Sequence, residues 1–286
     1  MLEGVEMGRA ILGAVLATLI WVGKPEPLER VGRLAAPAIR EASGMTASRT
    51  HPGIYWVHND SGNAAELFAV RRDGQLVRSY KVAAPNIDWE DIAADDSGHL
   101  YLADTGNNRL NLPLRAVHTL VEPDPTAPQP PERLLSVLAS NYYQFPGGRR
   151  FDAEGMIVAG GQILLITKRR DGQAAELYRL PLAPASSLLR PATPERVGLL
   201  PGCVEPVTGA SLAPDGQQLA VVTDSSVRVY RSTNMADWTL LGSAAFRAPD
   251  VEAITWDGAD LILASEDRSV YRLPPERWRA APRAER

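Results

Sequence analysis

One motif recurs along this chain: an acid early in an apolar strand, then a second apolar run that ends in polar residues. Asp88-Trp89-Glu90-Asp91-Ile92-Ala93 leads to Leu100-Tyr101-Leu102-Ala103-Asp104, with Asp104 fourteen residues after Glu90. Asp152-Ala153-Glu154-Gly155-Met156 leads in the same way to Lys168, and Asp250-Val251-Glu252-Ala253-Ile254 to Glu266. Two weaker copies are Thr208-Gly209-Ala210-Ser211, with Thr223 fourteen residues after Gly209, and Glu41-Ala42-Ser43-Gly44-Met45, which precedes Ile54 to Asp60. A period of this kind outweighs any local motif, because each unit can bury its apolar face only against its neighbours.

From Arg30 onward the repeats read as short strands separated by Gly, Pro, Asp and Asn turns, mostly four to a repeat. The last repeat lacks a fourth strand, and Arg30-Val31-Gly32-Arg33-Leu34 at the other end echoes Arg196-Val197-Gly198-Leu199-Leu200 of the third. A strand from the N-terminal end that completes the last unit removes its exposed edge. The expectation is an all-β chain: a β-propeller over residues 30–275 with five four-stranded blades, closed by the N-terminal strand. Six blades is the alternative, if Leu110 to Arg150 holds another one. Residues 276–286, with Arg277, Arg279, Arg283 and Arg286, read as a disordered polar tail.

The chain has 286 residues and a formal charge of −4 without a basic block in its body, which argues against nucleic acid as a partner. The lone Cys203 rules out an internal disulfide. An uncharged run, Ala10 to Val22, follows Arg9 and is closed by Lys24 and Pro25. It is short for a spanning helix and suits a signal-peptide core. Residues 1–24 are therefore expected to be a signal peptide or an uncleaved anchor, with residues 10–22 as a membrane tether in the second case. The protein would be exported, periplasmic or extracellular.

In such a ring the first strand of each blade lines the central channel, and its start lies beside the end of the second. The offset then gathers Glu90 with Asp104, Glu154 with Lys168 and Glu252 with Glu266 at one mouth. His58, Asn59, Asp60 and Asp224 end equivalent second strands, and Glu41 lies near the slot that Ser43 fills. Carboxylates packed this closely call for protons or a cation. Oxygen ligands without a histidine pair point to Ca²⁺, with Mg²⁺ or Mn²⁺ as alternatives. The expected ligands are Glu41, Glu90, Asp104, Glu154, Asp224, Glu252 and Glu266, with Asp88, Asp152 and Asp250 as braces between blades. Lys168, Arg109, Arg149, Arg150, Asn59, Asn107 and Asn108 would receive a small anionic substrate, and His58 or Asp60 would serve as base.

The motifs Glu-Ala-Ser-Gly (41–44), His-Asn-Asp-Ser-Gly (58–62), Asp-Trp-Glu-Asp-Ile-Ala (88–93), Asp-Ala-Glu-Gly (152–155), Ile-Thr-Lys (166–168) and Thr-Gly-Ala-Ser (208–211) resemble those of exported bacterial propellers of unassigned activity. More distantly the chain is similar to SdiA-regulated, phytase-type and gluconolactonase-type propellers. The last two imply a divalent ion and reacting groups at the channel mouth, though the fuller phytase signatures are missing and those families commonly have six blades. Two functions follow. One is a Ca²⁺-dependent hydrolase of a phosphate ester or lactone, with Lys168 and His58 or Asp60 in catalytic roles. The other is a non-catalytic exported module that binds a protein partner.

Overall fold

Tight turns fold each repeat into antiparallel hairpins. At Asp73-Gly74, for example, Gly74 takes φ +86°, a conformation that costs any residue with a Cβ. The computed structural model describes residues 24–128, 134–183 and 185–279. It shows five sheets arranged as blades around a channel.

The first blade runs outward through Ala42–Ala47, Tyr55–Asn59, Glu66–Val70 and Leu76–Val82. The second comprises Trp89–Ala94, His99–Asp104, Arg115–Val121 and Val137–Tyr143. The third is Asp152–Ala159, Gln162–Lys168, Glu176–Pro181 and Glu195–Leu199. The fourth is Val207–Leu212, Gln218–Thr223, Ser226–Arg231 and Thr239–Arg247. Val251–Asp257, Asp260–Ser265 and Ser269–Leu273 form the fifth, and the N-terminal strand Glu29–Arg33 completes it, pairing antiparallel with Ser269–Leu273. The five-bladed propeller expected from the repeat is the architecture observed.

The six-blade alternative falls because Leu110 to Arg150 supplies only the outer half of the second blade and two strand residues that leave it. After the proline-rich loop, Leu134–Leu135 pairs parallel with the outer strand of the first blade, and the chain then turns back to Val137–Tyr143. Glu26–Pro27 adds a second parallel edge, on the fourth blade. Both additions cover outer edges that would otherwise offer unpaired N–H and C=O groups.

The core is divided among the five blade-to-blade interfaces. Trp56, Leu67 and Trp89 fill the first, between blades one and two. Tyr101, Tyr143 and Tyr178 fill the next, and Leu164, Leu219 and Tyr230 the third. Val229, Trp256 and Leu263 lie between blades four and five, and Met45, Phe68 and Ile262 between five and one.

The C-terminal end of the chain differs from expectation, and the N-terminal segment is not described. Residues 1–23 of the expected signal peptide or anchor, and residues 280–286, lie outside the described residues. Among the described residues no helix is long and apolar enough to cross a membrane. The polar tail does not begin at residue 276: Pro275–Trp278 forms a helical turn, and Trp278, 2% exposed, packs edge-on against Trp256 at 6.0 Å. Arg277 pairs with Glu26 at 3.3 Å. The arginines conceal an apolar anchor. Trp278→Ala should therefore destabilise the protein by about 3–5 kcal/mol in a denaturant melt, as for other buried aromatic truncations; a peripheral tail would leave the midpoint unchanged.

Candidate functional site

Every inner strand carries a bulge at the same level, near its start. The register slips between Ala42 and Gly44, Trp89 and Asp91, Ala153 and Gly155, Val207 and Gly209, and Val251 and Ala253. The extra residues are Ser43, Glu90, Glu154, Thr208 and Glu252. A bulge re-aims the side chain it inserts, and here it gathers three glutamates at one end of the channel.

The fourteen-residue offset fails because the hairpins differ in length: Asp91 pairs with Ala103, twelve residues on, whereas Gly155 pairs with Ile166 and Ala253 with Ala264, eleven residues on. Asp104 lies opposite Trp89, whereas Lys168 lies opposite Asp152, one step further out, and the Glu266 N–H donates to the Asp250 carbonyl at 3.0 Å. Asp104 is thus equivalent to Thr167 and Ser265, not to Lys168 and Glu266. In the fourth repeat the slot belongs to Thr208 rather than Gly209.

Carboxylate oxygens converge in two overlapping groups, each with its atoms within 4.8 Å of one another: Asp60, Asp88 and Glu90, and Glu90, Asp152 and Glu154. The second group is already countered. Lys168 Nζ donates to Glu154 Oε2 at 2.5 Å, and Arg170 donates to Asp152 Oδ2 at 2.9 Å and lies 4.0 Å from Glu154 Oε1. Among the described residues the first group is met by hydroxyl and backbone donors, the Ser61 N–H to Asp60 Oδ1 at 2.5 Å, the Ser61 hydroxyl to Asp88 and the Ser43 hydroxyl to Glu90 Oε2 at 3.5 Å, and the Arg115 charge favours the Asp88 carboxylate. Glu90 belongs to both groups and is 3% exposed, and its Oε1 has no hydrogen-bond partner. That oxygen approaches Gly106 so closely that a Cβ there would stand 2.0 Å from it and 2.5 Å from Asp88 Cγ.

The electrostatics follow from this crowding. Burial, then the neighbouring acids Glu154 and Asp60, push the Glu90 carboxyl well above its usual range. Burial and Asp152 do the same to Glu154, against the pull of Lys168. Glu252 is pushed up to about 8 by burial and by Glu266, to which it is hydrogen-bonded, so this pair holds a proton at neutral pH. Asp60 and Asp88 are raised by burial as well. Burial works against the charge on Lys168, but Glu154 and Glu252 outweigh it and raise its pKa.

Several expected site residues are occupied elsewhere. Asn59 is 2% exposed and ties down the segment that enters the first blade, accepting from the Arg40 N–H at 2.8 Å and donating to the Ala38 carbonyl at 2.8 Å. His58 is fully enclosed over Gly44, one residue deeper than the mouth. Its Nδ1 lies 3.1 Å from the Asn59 carbonyl, its Nε2 has no partner, and burial drives its pKa down to about 4, so the ring is neutral and shut away from substrate. Asp104 is a brace, its Oδ1 accepting the Asp88 N–H at 2.8 Å. Glu41 projects outward to Asn63 at 2.7 Å, and Asp224 is exposed.

Most of the expected anion-receiving groups are likewise held by other partners. Arg149 stacks over Phe151 at 4.5 Å and pairs with Glu176 at 3.3 Å, while Arg150 donates to the Asn111 carbonyl at 3.0 Å. Asn107 closes its loop onto Leu112, and its N–H donates to Asp152 Oδ1 at 2.7 Å. Asn108 accepts from Arg170 at 2.7 Å, and Arg109 is exposed. Asp88 and Asp152 act as the expected braces between blades, Asp152 accepting the Asn107 N–H at 2.7 Å and Asp88 a hydrogen bond from Ser61, and they also bring their carboxylates to Glu90. Arg170 was not singled out from the sequence; its only signal is the basic run Lys168-Arg169-Arg170 at the end of a strand.

No protein-family profile matches the chain, and no curated protein does. Among solved structures it is similar to Kluyvelomyces marxianus Hsv2, at 13% identity and a TM-score of 0.35, over 79% of this chain and 61% of that one. The chain thus spans under two thirds of that protein. A likeness this slight carries no functional argument, and the architecture rests on the ring of blades itself.

Two outcomes follow from the geometry. Gly106→Ala should cost roughly 1–3 kcal/mol in a denaturant melt, the usual penalty for overpacking, because Glu90 and Asp88 must move. The raised glutamates favour the fold while protonated, below the ordinary glutamate range, and that contribution is lost as pH rises through their folded values. In chelator, the melting temperature should fall between about pH 4.5 and 8, and Glu252→Gln should flatten that slope.

Proposed function

We propose that the acidic mouth binds one hard divalent cation, Ca²⁺ before Mg²⁺ or Mn²⁺, through Glu90, Asp88 and Asp60, and that the site hydrolyses a small phosphate ester or lactone. The observation that carries this reading is Glu90 Oε1, a buried carboxylate oxygen with no partner where two carboxylate groups overlap. The oxygen-only donor set suits a hard ion, and the half-buried Asp60 and Asp88 leave a side open to solvent.

Bound there, the ion supplies Lewis-acid polarisation of a phosphoryl or carbonyl oxygen. Lys168 and Arg170, rather than Arg109, Arg149 and Arg150, are the cations beside the carboxylates and would orient an anionic group. Glu252, protonated at neutral pH, is the residue suited to give a proton to a leaving oxygen. His58 is excluded as a base by its enclosure. The setting would be outside the cytoplasm, with residues 1–24 as signal peptide or anchor.

The enclosure of His58 and the commitment of Lys168 to Glu154 also favour a second reading, a non-catalytic exported module in which the cation stiffens the mouth and a protein partner binds the blades. Thermal melts in Ca²⁺ and in chelator test the shared premise. Ca²⁺ at a hundred times its Kd should stabilise the fold by about 2.7 kcal/mol, and Glu90→Gln should abolish the response. An identical melt with and without Ca²⁺, Mg²⁺ and Mn²⁺ would remove the cation from both readings. Turnover of a phosphoester or lactone panel that is lost in Glu90→Gln and Glu252→Gln would select the hydrolase. A Ca²⁺ response without turnover would select the module.

A further inference from the structure

The channel's other end differs in kind from the acidic mouth. A cavity of about 270 Å³ opens there, walled by the far ends of all five inner strands through Ala47, Ala94, Val158, Leu212 and Trp256. Ile92, Met156 and Ala210 form its floor. The N–H groups of these three residues all donate to the Asp91 carboxylate, at 2.8, 2.8 and 3.2 Å, so the floor carries no unpaired backbone donor at these positions, and their side chains are buried in the blade interfaces. The volume is small for a ligand pocket and suits a short chain or a single ring.

Most polar groups on the wall are taken. Thr255 Oγ1 accepts the Ala47 N–H at 2.8 Å, and Ser48 Oγ accepts the N–H groups of Thr50 and His51 at 3.2 and 2.7 Å. The acid on the wall, Asp257, is neutralised by Arg72 at 2.9 Å and accepts a hydrogen bond from the Tyr55 hydroxyl. Arg49 is different. Its nearest carboxylate is Asp96, 3.9 Å away, whose side chain is 86% exposed. A solvent-screened pair of that kind is worth little and exchanges readily. A guanidinium at the rim of an apolar cup is complementary to one ligand chemistry, a carboxylate carried on a short apolar body.

We propose that this cavity is a second ligand site, which binds a small amphipathic carboxylate with its apolar end against the wall formed by Ala47, Val158 and Leu212 and its carboxylate on Arg49. The site is independent of the cation mouth, because the Asp91 layer lies between them.

Octanoate is a suitable probe, titrated calorimetrically into the full chain beside octan-1-ol and octylammonium. Octanoate should bind at one saturable site and octylammonium should not. Arg49→Gln, at a half-buried rim position, should weaken octanoate by about tenfold or more and leave octanol unchanged. Ala47→Phe, which fills the cup, should remove both. Glu90→Gln should bind octanoate as the parent does, so that failure of the cation mouth and failure of this site give separate signatures. No octanoate binding, meaning that the cup holds only water, would overturn the proposal. Equal affinity for octanoate and octanol, or indifference to Arg49→Gln, would overturn it too; since that variant leaves the core untouched, misfolding of Ala47→Phe would not obscure the result.

Discussion

A propeller must satisfy the inner edge of every blade. The innermost strand has no neighbour on its channel side, and so close to the axis there is little room for water to serve its N–H and C=O groups. In this protein side chains serve them, and the same bonds join blade to blade. Ser43 of the first blade donates to the Glu90 carbonyl of the second at 3.1 Å, and Thr105 of the second to the Ala153 carbonyl of the third at 2.6 Å. Thr208 of the fourth donates to the Val251 carbonyl of the fifth at 2.8 Å, and Thr255 of the fifth accepts the Ala47 N–H of the first at 2.8 Å. Asp91 spans the remaining gap by reaching from the second blade to the N–H groups of Met156 and Ala210 in the third and fourth. Its burial raises its pKa well above the carboxylate range even though three N–H donors favour the charge. The ring is stitched at its centre as well as packed at its interfaces.

The acidic mouth grows out of this stitching. The inner-strand bulge carries a hydroxyl in the first and fourth blades, where Ser43 and Thr208 bridge to the next backbone. In the second, third and fifth blades the same position carries a glutamate, and the carboxylate projects into the opening instead. One backbone device thus gives a structural bond in two blades and a titrating group in three. The acids are crowded for that reason, and their raised pKa values measure an electrostatic cost that the fold carries.

The fold was legible because hairpin repeats write themselves locally: turn residues, strand lengths and the missing last strand can all be counted along the chain. The site was legible only to the nearest residue or two. The hairpin of the second blade is one residue longer than those of the third and fifth, so a fixed offset matched Asp104 with Lys168 and Glu266 although it sits one step away from their level. Whether a polar residue near the mouth faces it or turns away depends on its tertiary partners: Asn107 closes its own loop, Asn59 bonds the segment entering the first blade, and Arg149 pairs with Glu176. Asp91 was hidden in plain view within the motif, since its partners lie 65 and 119 residues away. Trp278 was masked by the arginines around it.

The Asp91 layer also sets what the channel can do. On one side lie carboxylates with Lys168 and Arg170 among them; on the other lies an apolar cup with one lightly held guanidinium. Between them the inner strands approach until Gly44 would place a Cβ 3.0 Å from the Asp91 Cα and Gly209 a Cβ 2.4 Å from the Glu252 carbonyl oxygen. A ligand passing through would have to break the Asp91 bonds that hold three blades in register, so neither end is an entrance to the other. The two faces are chemically opposite because the stitch that closes the ring also insulates them, and each can change its lining residues without disturbing the other.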